Sequence, residues 1–160
     1  MGREIERKFL LSSDTWRQSV VRSRYMRQGY LCGNERASIR VRVDADGANL
    51  NIKSATLGVE RDEYQYGIPA EEAHRLLDTL AGPQIEKTRH WVDVDGWEYE
   101  IDVFEGANAG LIVAELELPS SAADFPRPDW LGEEVSDDPR YYNTELARHP
   151  YCDWADAARS

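Results

Sequence analysis

Five residues near the start of the chain, Glu4-Ile5-Glu6-Arg7-Lys8, place charged side chains in an alternating row. Successive side chains of a β-strand point to opposite faces, so Glu4, Glu6 and Lys8 share one face of such a strand. Two carboxylates and an ammonium in one row are costly to bury without partners. We therefore predict that this face looks onto something charged.

Basic side chains recur at alternate positions in later segments. Arg40 and Arg42, for example, alternate with Ile39, Val41 and Val43. Because arginine forks bind phosphate oxygens in a bidentate manner and lysines act as point charges, such a cluster suits a polyanion with several phosphoryl groups. The cationic set is Lys8, Arg40, Arg42, Lys53, Arg61, Lys87 and Arg89.

Carboxylates on other strand-like segments would repel that polyanion unless a cation lies between them. Mg²⁺ or Mn²⁺ binds carboxylate oxygens on one side and phosphate oxygens on the other, and phosphoryl transfer depends on this combination. A network of ion pairs with no ligand is the alternative reading of the same residues. The acidic set is Glu4, Glu6, Glu63, Glu100, Asp102, Glu115 and Glu117.

A water that attacks a phosphoryl group needs activation by a metal or by a general base. Lys8 is the candidate base, since neighbouring cations favour the neutral form of its amine. Tyr30 is its hydrogen-bond partner if the first two strands pair; otherwise it is an ordinary strand aromatic. No histidine or cysteine spacing indicates a metal site or a nucleophile.

The elements that must position these residues are mostly short strands. Asp46-Gly47 and Asp95-Gly96 are two-residue hairpin signals, and one amphipathic helix is predicted over residues 70–81. About eight strands of this kind indicate a mainly antiparallel sheet, open or closed. Besides the opening segment, the predicted strands are residues 23–32, 36–44, 48–54, 60–68, 85–94, 97–104 and 111–118.

Paired charges on so many strands favour a closed barrel, because closure places the charged faces in a common lumen and removes exposed edges. The predicted class is α+β, mainly antiparallel β: a closed eight-stranded barrel with a polar, charged tunnel and a few flanking helices. The apolar faces then point outward and lie under helices or under a partner subunit, which is compatible with a homodimer.

Composition bounds the remaining possibilities. The 160 residues predict a single domain over residues 1–150 and a C-terminal tail over residues 151–160. The net charge of -11 argues against nucleic acid and anionic membranes as partners. No apolar stretch is long enough to span a bilayer and no secretory segment is evident, so the expected compartment is the cytoplasm.

The opening motif resembles the E-x-E-x-K signature of the CYTH superfamily, the triphosphate tunnel metalloenzymes. Further segments follow in that family's order, and the resemblance covers about residues 3 to 148. They are Gln28-Gly29-Tyr30-Leu31, Ile39-Arg40-Val41-Arg42, Ile52-Lys53-Ser54, Arg61-Asp62-Glu63-Tyr64, Glu86-Lys87-Thr88-Arg89, Glu100-Ile101-Asp102-Val103-Phe104 and Glu115-Leu116-Glu117.

The resemblance implies an eight-stranded tunnel that acts on triphosphates with Mg²⁺ or Mn²⁺, and inorganic tripolyphosphate as the expected substrate. It implies a catalytic pair of Lys8 and Tyr30. The implied ligands of a first metal are Glu4, Glu6 and Glu115, with Glu117 nearby, and Glu63 and Asp102 lie on the side of a second metal. The implied phosphate clamps are Arg40, Arg42, Lys53, Lys87 and Arg89.

Two positions depart from the family pattern. Gln65 stands where a second acidic residue is frequent, and Tyr142 stands where a lysine is frequent. Three functions stay open at this point. They are hydrolysis of tripolyphosphate, thiamine triphosphate hydrolysis or adenylate cyclisation on the same fold, and non-catalytic polyphosphate binding.

Overall fold

The computed structural model describes residues 2–55 and 59–155. Within these residues the chain forms nine strands, most of them as long as the alternating patterns predict. They are β1 (Gly2–Leu11), β2 (Val20–Gly33), β3 (Ala37–Asp44), β4 (Gly47–Ser54), β5 (Glu60–Ile68), β6 (Gln84–Val94), β7 (Trp97–Phe104), β8 (Ile112–Glu117) and β9 (Leu131–Glu134).

These strands form one antiparallel sheet that closes on itself. Their order is β5-β4-β3-β2-β6-β7-β8-β1-β9, and β5 also pairs with the first half of β1. The second half of β1 pairs with β9 instead, so β9 continues the wall where β5 ends. The predicted closed eight-stranded barrel is confirmed; β9 was not predicted, because its four residues show no alternation.

The helices of the described chain are short: α1 (Ala70–Thr79), α2 (Asn143–Arg148) and four 3₁₀ segments, Thr15–Ser19, Gly106–Asn108, Pro139–Tyr141 and Tyr151–Asp153. Helix α1 presents Ala73 and Leu77 to the outward side chains Val41 and Val43 of β3. No helix in the described ranges has both the length and the apolar character that a membrane crossing requires.

The outward apolar side chains of the other strands are covered by the chain itself. Phe9, Tyr99 and Ile101 belong to a buried cluster that Trp16 and Trp130 complete from two connecting segments. In addition, the Tyr99 hydroxyl donates to the carbonyl of Pro126 at 2.6 Å. The predicted cover by a partner subunit is therefore unnecessary over these faces, although a homodimer stays a prediction.

One end of the barrel interior is apolar and closed. Ile85, Phe104 and Val113 continue the inward faces of β6, β7 and β8, and Leu146 and Ala147 of α2 pack against them. Helix α2 thus plugs this end, and the charged lumen occupies the other part of the barrel.

The first part of the predicted C-terminal tail joins this plug. The backbone N–H of Tyr151 donates to Asn108 Oδ1 at 2.8 Å, and the Trp154 ring packs on Tyr141. Residues 156–160 of that prediction lie outside the described residues.

Candidate active site

A charged cavity of about 250 Å³ lies inside the barrel, and its walls are the inward faces of the strands. Thirteen of the fifteen site residues that the sequence analysis selected line it. The other two, Lys87 and Asp102, are fully buried within the wall and do not reach the cavity. The lining members of the predicted set are Glu4, Glu6, Lys8, Tyr30, Arg40, Arg42, Lys53, Arg61, Glu63, Arg89, Glu100, Glu115 and Glu117.

Strand register brings the opening motif against the acidic pair of β8. Lys8 lies directly opposite Glu115, and Glu6 lies opposite Glu117. The Lys8 ammonium donates to Glu115 Oε1 at 2.5 Å and lies 3.3 Å from Glu6 Oε1. Because the paired strands are antiparallel, two segments distant in sequence build one carboxylate-rich wall.

The protonation state of Lys8 differs from the sequence-based expectation. Burial lowers the pKa of Lys8, but the carboxylates of Glu115 and Glu6 raise it more, and the net pKa lies above the ordinary value. The expected excess of neighbouring cations is wrong, because the register places carboxylates next to this amine. In this arrangement the Lys8 amine donates to the Glu115 carboxylate.

The predicted contact between Lys8 and Tyr30 also needs correction. Strand β1 is flanked by β5, β8 and β9, whereas β2 lies between β3 and β6. The first two strands therefore do not pair. Tyr30 reaches the same cavity from another wall, where Arg40 is its cross-strand neighbour.

Carboxylates in the cavity repel one another. Burial and the adjacent Glu115 carboxylate raise the pKa of Glu6 to about 7. Burial, Glu4 and Glu6 likewise raise the pKa of Glu117. This donor set suits a hard divalent cation, which would relieve the repulsion. Among the described residues, no three acidic, histidine or cysteine side chains are close enough together to hold a metal ion. The carboxylates pair with lysines instead.

Lys53 is one of these intervening lysines. Its ammonium lies 3.0 Å from Glu4 Oε2 and 3.6 Å from Glu63 Oε2. Lys53 also lies opposite Glu63 across β4 and β5. Lys53, an expected phosphate clamp, is thus paired with Glu4 and Glu63, which are two expected metal ligands.

Asp102 is the centre of a second ion-pair network. Its carboxylate accepts from Lys87 Nζ at 2.7 Å and from Arg89 Nε and Nη2 at 2.7 and 2.9 Å. Burial raises the pKa of Asp102, but Arg89 and Lys87 lower it more, so the net shift is downward. Arg89 also contacts Glu100 and Glu115. Most of the positive charge on this wall is therefore already neutralised.

Strand β3 carries two arginines that are less completely paired. Within the described part of the chain, neither Arg40 Nε nor Arg42 Nε has a hydrogen-bond partner, although both atoms are buried. Burial, followed by the charges of Arg40 and Arg89, lowers the pKa of Arg42 to about 10. A guanidinium in that situation is stabilised by an anion.

Further residues line the cavity that the sequence analysis did not select. Asn51 alternates with apolar residues on β4, and Arg24 shares an inward face with Tyr30, so the alternation could have identified both. Asn143 and Thr144 come from α2 and had no such signal.

The two departures from the family pattern both lie at the cavity. Gln65 contributes a neutral amide to its lining. Tyr142 packs its ring under the Arg61 guanidinium at 4.8 Å, and its hydroxyl donates to the Ser136 carbonyl at 2.7 Å. In this chain Tyr142 therefore supports an arginine of the tunnel.

A second cavity of about 230 Å³ adjoins the first and shares Tyr30, Arg61 and Tyr142 with it. Its other walls include the apolar residues Pro83 and Ala147.

Comparison with known proteins gives matches over most of the chain. Residues 2–142 match the family model described as CYTH domain. An inorganic triphosphatase of Acetivibrio thermocellus is 44% identical over 152 residues, 94% of this chain and 97% of that protein. An inorganic triphosphatase of Nitrosomonas europaea is 37% identical over 149 residues, 90% of this chain and 96% of that protein.

A solved structure agrees with these sequence matches. The crystal structure of an inorganic triphosphatase superimposes with a TM-score of 0.67 at 34% identity, covering 92% of this chain and 95% of that one.

Proposed function

This chain belongs to the CYTH domain family, and from that premise we propose that it hydrolyses inorganic triphosphate to diphosphate and phosphate. The observation that carries the proposal is the contrast between the two tunnel walls. One wall holds carboxylates paired with lysines, and the other holds Arg40 and Arg42, each with a buried nitrogen that has no partner in the described chain.

A linear polyphosphate matches this contrast. Its oxygens can accept from the Arg40 and Arg42 guanidinium groups along one wall. Lys53 and Arg61, which line the same cavity, extend the cationic surface toward β4 and β5. We propose these four residues as the main phosphate clamps. Lys87 and Arg89 act mainly through Asp102, because their charges are already compensated by it.

Mg²⁺ or Mn²⁺ is the proposed cofactor. Glu4, Glu6 and Glu115, with Glu117 beside them, supply the oxygen donors that such a cation prefers. When bound, a hard divalent cation neutralises phosphoryl oxygens and polarises them toward attack.

Of the two residues expected at a second metal, Glu63 faces the cavity, whereas Asp102 is enclosed by its two basic partners. We therefore propose Glu63 as a ligand and Asp102 as a counter-ion.

Lys8 and Tyr30 are proposed as donors at the reacting end. The protonated amine of Lys8 holds Glu115 and Glu6 in place and can donate to a phosphoryl oxygen. The Tyr30 hydroxyl can donate from the neighbouring wall. A cytoplasmic location and a homodimer stay predictions from the sequence.

An organic triphosphate, such as thiamine triphosphate or ATP, is the second candidate substrate. The specific observation that favours it is the adjoining cavity of about 230 Å³, whose partly apolar wall could hold a ring beyond the phosphates. Phosphate-release rates on tripolyphosphate, thiamine triphosphate and ATP, measured at equal concentrations, distinguish the two substrate classes. A product assay for cyclic AMP tests the cyclase reaction.

Phosphate release from tripolyphosphate with Mg²⁺ and with Mn²⁺ tests the proposal directly. We expect turnover by the wild type and a loss of roughly 100-fold or more in Glu4→Ala and Lys8→Ala, since each removes a charge next to the reacting phosphates. Glu72→Ala is the matched control, because Glu72 is exposed on α1 outside the tunnel.

Two results would contradict this function. Wild-type protein that releases no phosphate from any triphosphate with either metal rules out the hydrolase. Tight tripolyphosphate binding in calorimetry without turnover instead identifies a polyphosphate-binding module.

A further inference from the structure

The side chain of Gln28 is completely buried, and neither atom of its amide group has a hydrogen-bond partner among residues 2–55 and 59–155. Gln28 lies on the inward face of β2 between Met26 and Tyr30, both of which line the tunnel. A buried amide without partners destabilises a fold, and nearly all buried polar groups in proteins are paired. This orphaned amide therefore needs an explanation.

A complement of Gln28 lies across the β2–β3 ladder. Gln28 is directly opposite Arg42, and facing side chains of this kind have Cβ atoms about 4.5–5.5 Å apart. The Nε–H of Arg42 is itself a buried donor without a partner in the described chain. The Gln28 amide oxygen, an acceptor, and the Arg42 Nε–H, a donor, thus belong to residues on opposing positions and are not hydrogen-bonded to each other.

Burial and the charges of Arg40 and Arg89 disfavour the Arg42 cation. An anion on its terminal nitrogens would stabilise the charge and restrict the side chain to one orientation. A fixed guanidinium presents its Nε–H in a constant direction, where a neighbouring amide oxygen can accept it.

We propose that Gln28 is a positioning residue for Arg42. When triphosphate occupies the tunnel, the Gln28 amide oxygen accepts from Arg42 Nε and holds the terminal nitrogens toward the phosphoryl oxygens. This role rests on the proposed triphosphatase function. The unsatisfied amide oxygen destabilises the free protein, and this cost is recovered when triphosphate is bound.

The substitution Gln28→Met tests this role, because methionine keeps the length of the side chain and removes both polar atoms. Removing an unsatisfied buried group is neutral or stabilising. We therefore expect the melting temperature of the free protein to rise by about 2–4 °C. We also expect the KM for tripolyphosphate to rise about tenfold, with kcat changed by less than about twofold, as for a lost binding interaction.

Gln84→Met is the matched control. Gln84 lies on the neighbouring strand β6, and its amide is satisfied: it accepts from Arg27 Nε at 2.8 Å and donates to the Leu77 carbonyl at 2.8 Å. The same substitution there should lower the melting temperature and leave KM unchanged. A fall in melting temperature for Gln28→Met like that of the control would overturn the proposal.

A double-mutant cycle with Arg42→Met tests whether Gln28 acts through Arg42. We expect Gln28→Met to cause no further rise in KM when Arg42 is already replaced. Independent, additive losses would instead indicate direct contact between Gln28 and the substrate and would overturn the positioning role. An unchanged KM in Gln28→Met would overturn it as well.

Equilibrium binding of tripolyphosphate in EDTA separates this inference from the proposed function. If the wild type binds tripolyphosphate in EDTA but does not hydrolyse it when Mg²⁺ or Mn²⁺ is supplied, the hydrolase proposal fails, while weaker binding by Gln28→Met still supports the positioning role. If the wild type hydrolyses tripolyphosphate and Gln28→Met matches it in KM and binding, only the positioning role fails. Wild-type protein with neither binding nor turnover refutes both.

Discussion

Replacing Asp102 by asparagine removes the charge at the centre of the most deeply buried ion-pair network in the tunnel wall. The Asp102 side chain is 0% exposed and accepts three hydrogen bonds from two cationic side chains. Asparagine keeps the shape and one oxygen, but its amide N–H₂ group faces other donors. The perturbation is therefore electrostatic, with little change in packing.

The expected loss of stability depends on the contacts that Arg89 and Lys87 keep after the substitution. Arg89 keeps contacts with Glu100 and Glu115, so its charge stays paired. Lys87 keeps Asn143 Oδ1 at 3.4 Å and the Phe104 ring, whose centroid lies 5.6 Å from Lys87 Nζ, but neither carries a negative charge, and its own side chain is 1% exposed. Removing one partner of a buried pair costs about 3–5 kcal/mol, because the other charge is left without compensation. We expect a loss of this size in the free energy of unfolding.

Urea denaturation followed by tryptophan fluorescence measures this loss, since the chain contains five tryptophans. Asp62→Asn is the matched control: Asp62 is exposed on β5, and its replacement should change the unfolding free energy by less than about 0.5 kcal/mol. A loss below about 1 kcal/mol in Asp102→Asn, with an unchanged m value, would refute the view that Asp102 is an essential counter-ion.

Two further substitutions test contacts outside the tunnel. Glu134→Gln weakens the link between β9 and β1, where Arg7 Nε donates to Glu134 Oε2 at 2.8 Å, and should cost about 1–2 kcal/mol at pH 7. The bond to Arg7 lowers the pKa of Glu134, so this stabilisation is present above the ordinary value of 4.5 and is lost as the pH falls through the lowered pKa. Gly29→Ala places a Cβ 2.9 Å from Leu77 Cδ2 and should cost about 1–3 kcal/mol by overpacking α1 against β2.

Denaturation curves at two pH values and a glycine control check these expectations. A difference between wild type and Glu134→Gln that is equally large at pH 7 and at about pH 3 would contradict the assigned ion pair. Gly67→Ala is the control for the glycine substitution, since a Cβ there meets nothing within 4 Å. Equal stability of both alanine variants would show that α1 moves away from β2 at no cost.

Local features of the fold were predictable from the sequence. The alternation of charged and apolar residues identified eight of the nine strands of the described chain, and Asp95-Gly96 forms the expected tight turn, with φ angles of 53° and 85°. The E-x-E-x-K motif and the segments that follow it indicated the family, which the comparison confirms.

Long-range features were not predictable in the same way. The four-residue strand β9 exists because the second half of β1 offers it an edge, and nothing in its own sequence requires a strand. The neighbours of Lys8 were misjudged for a related reason. Its closest partner, Glu115, is 107 residues away in sequence, so only strand order places a carboxylate there.

The sequence by itself determined which residues face inward, because alternation in a strand is a local property of the backbone. It therefore identified the tunnel, both sets of charges and the family. Only the tertiary structure decided which charge meets which. Strand order and register placed carboxylates beside Lys8, enclosed Asp102 between Lys87 and Arg89, and left Gln28 facing Arg42 with no bond between them. Protonation and hydrogen bonding depend on those distances, and the distances are set by pairing between remote segments.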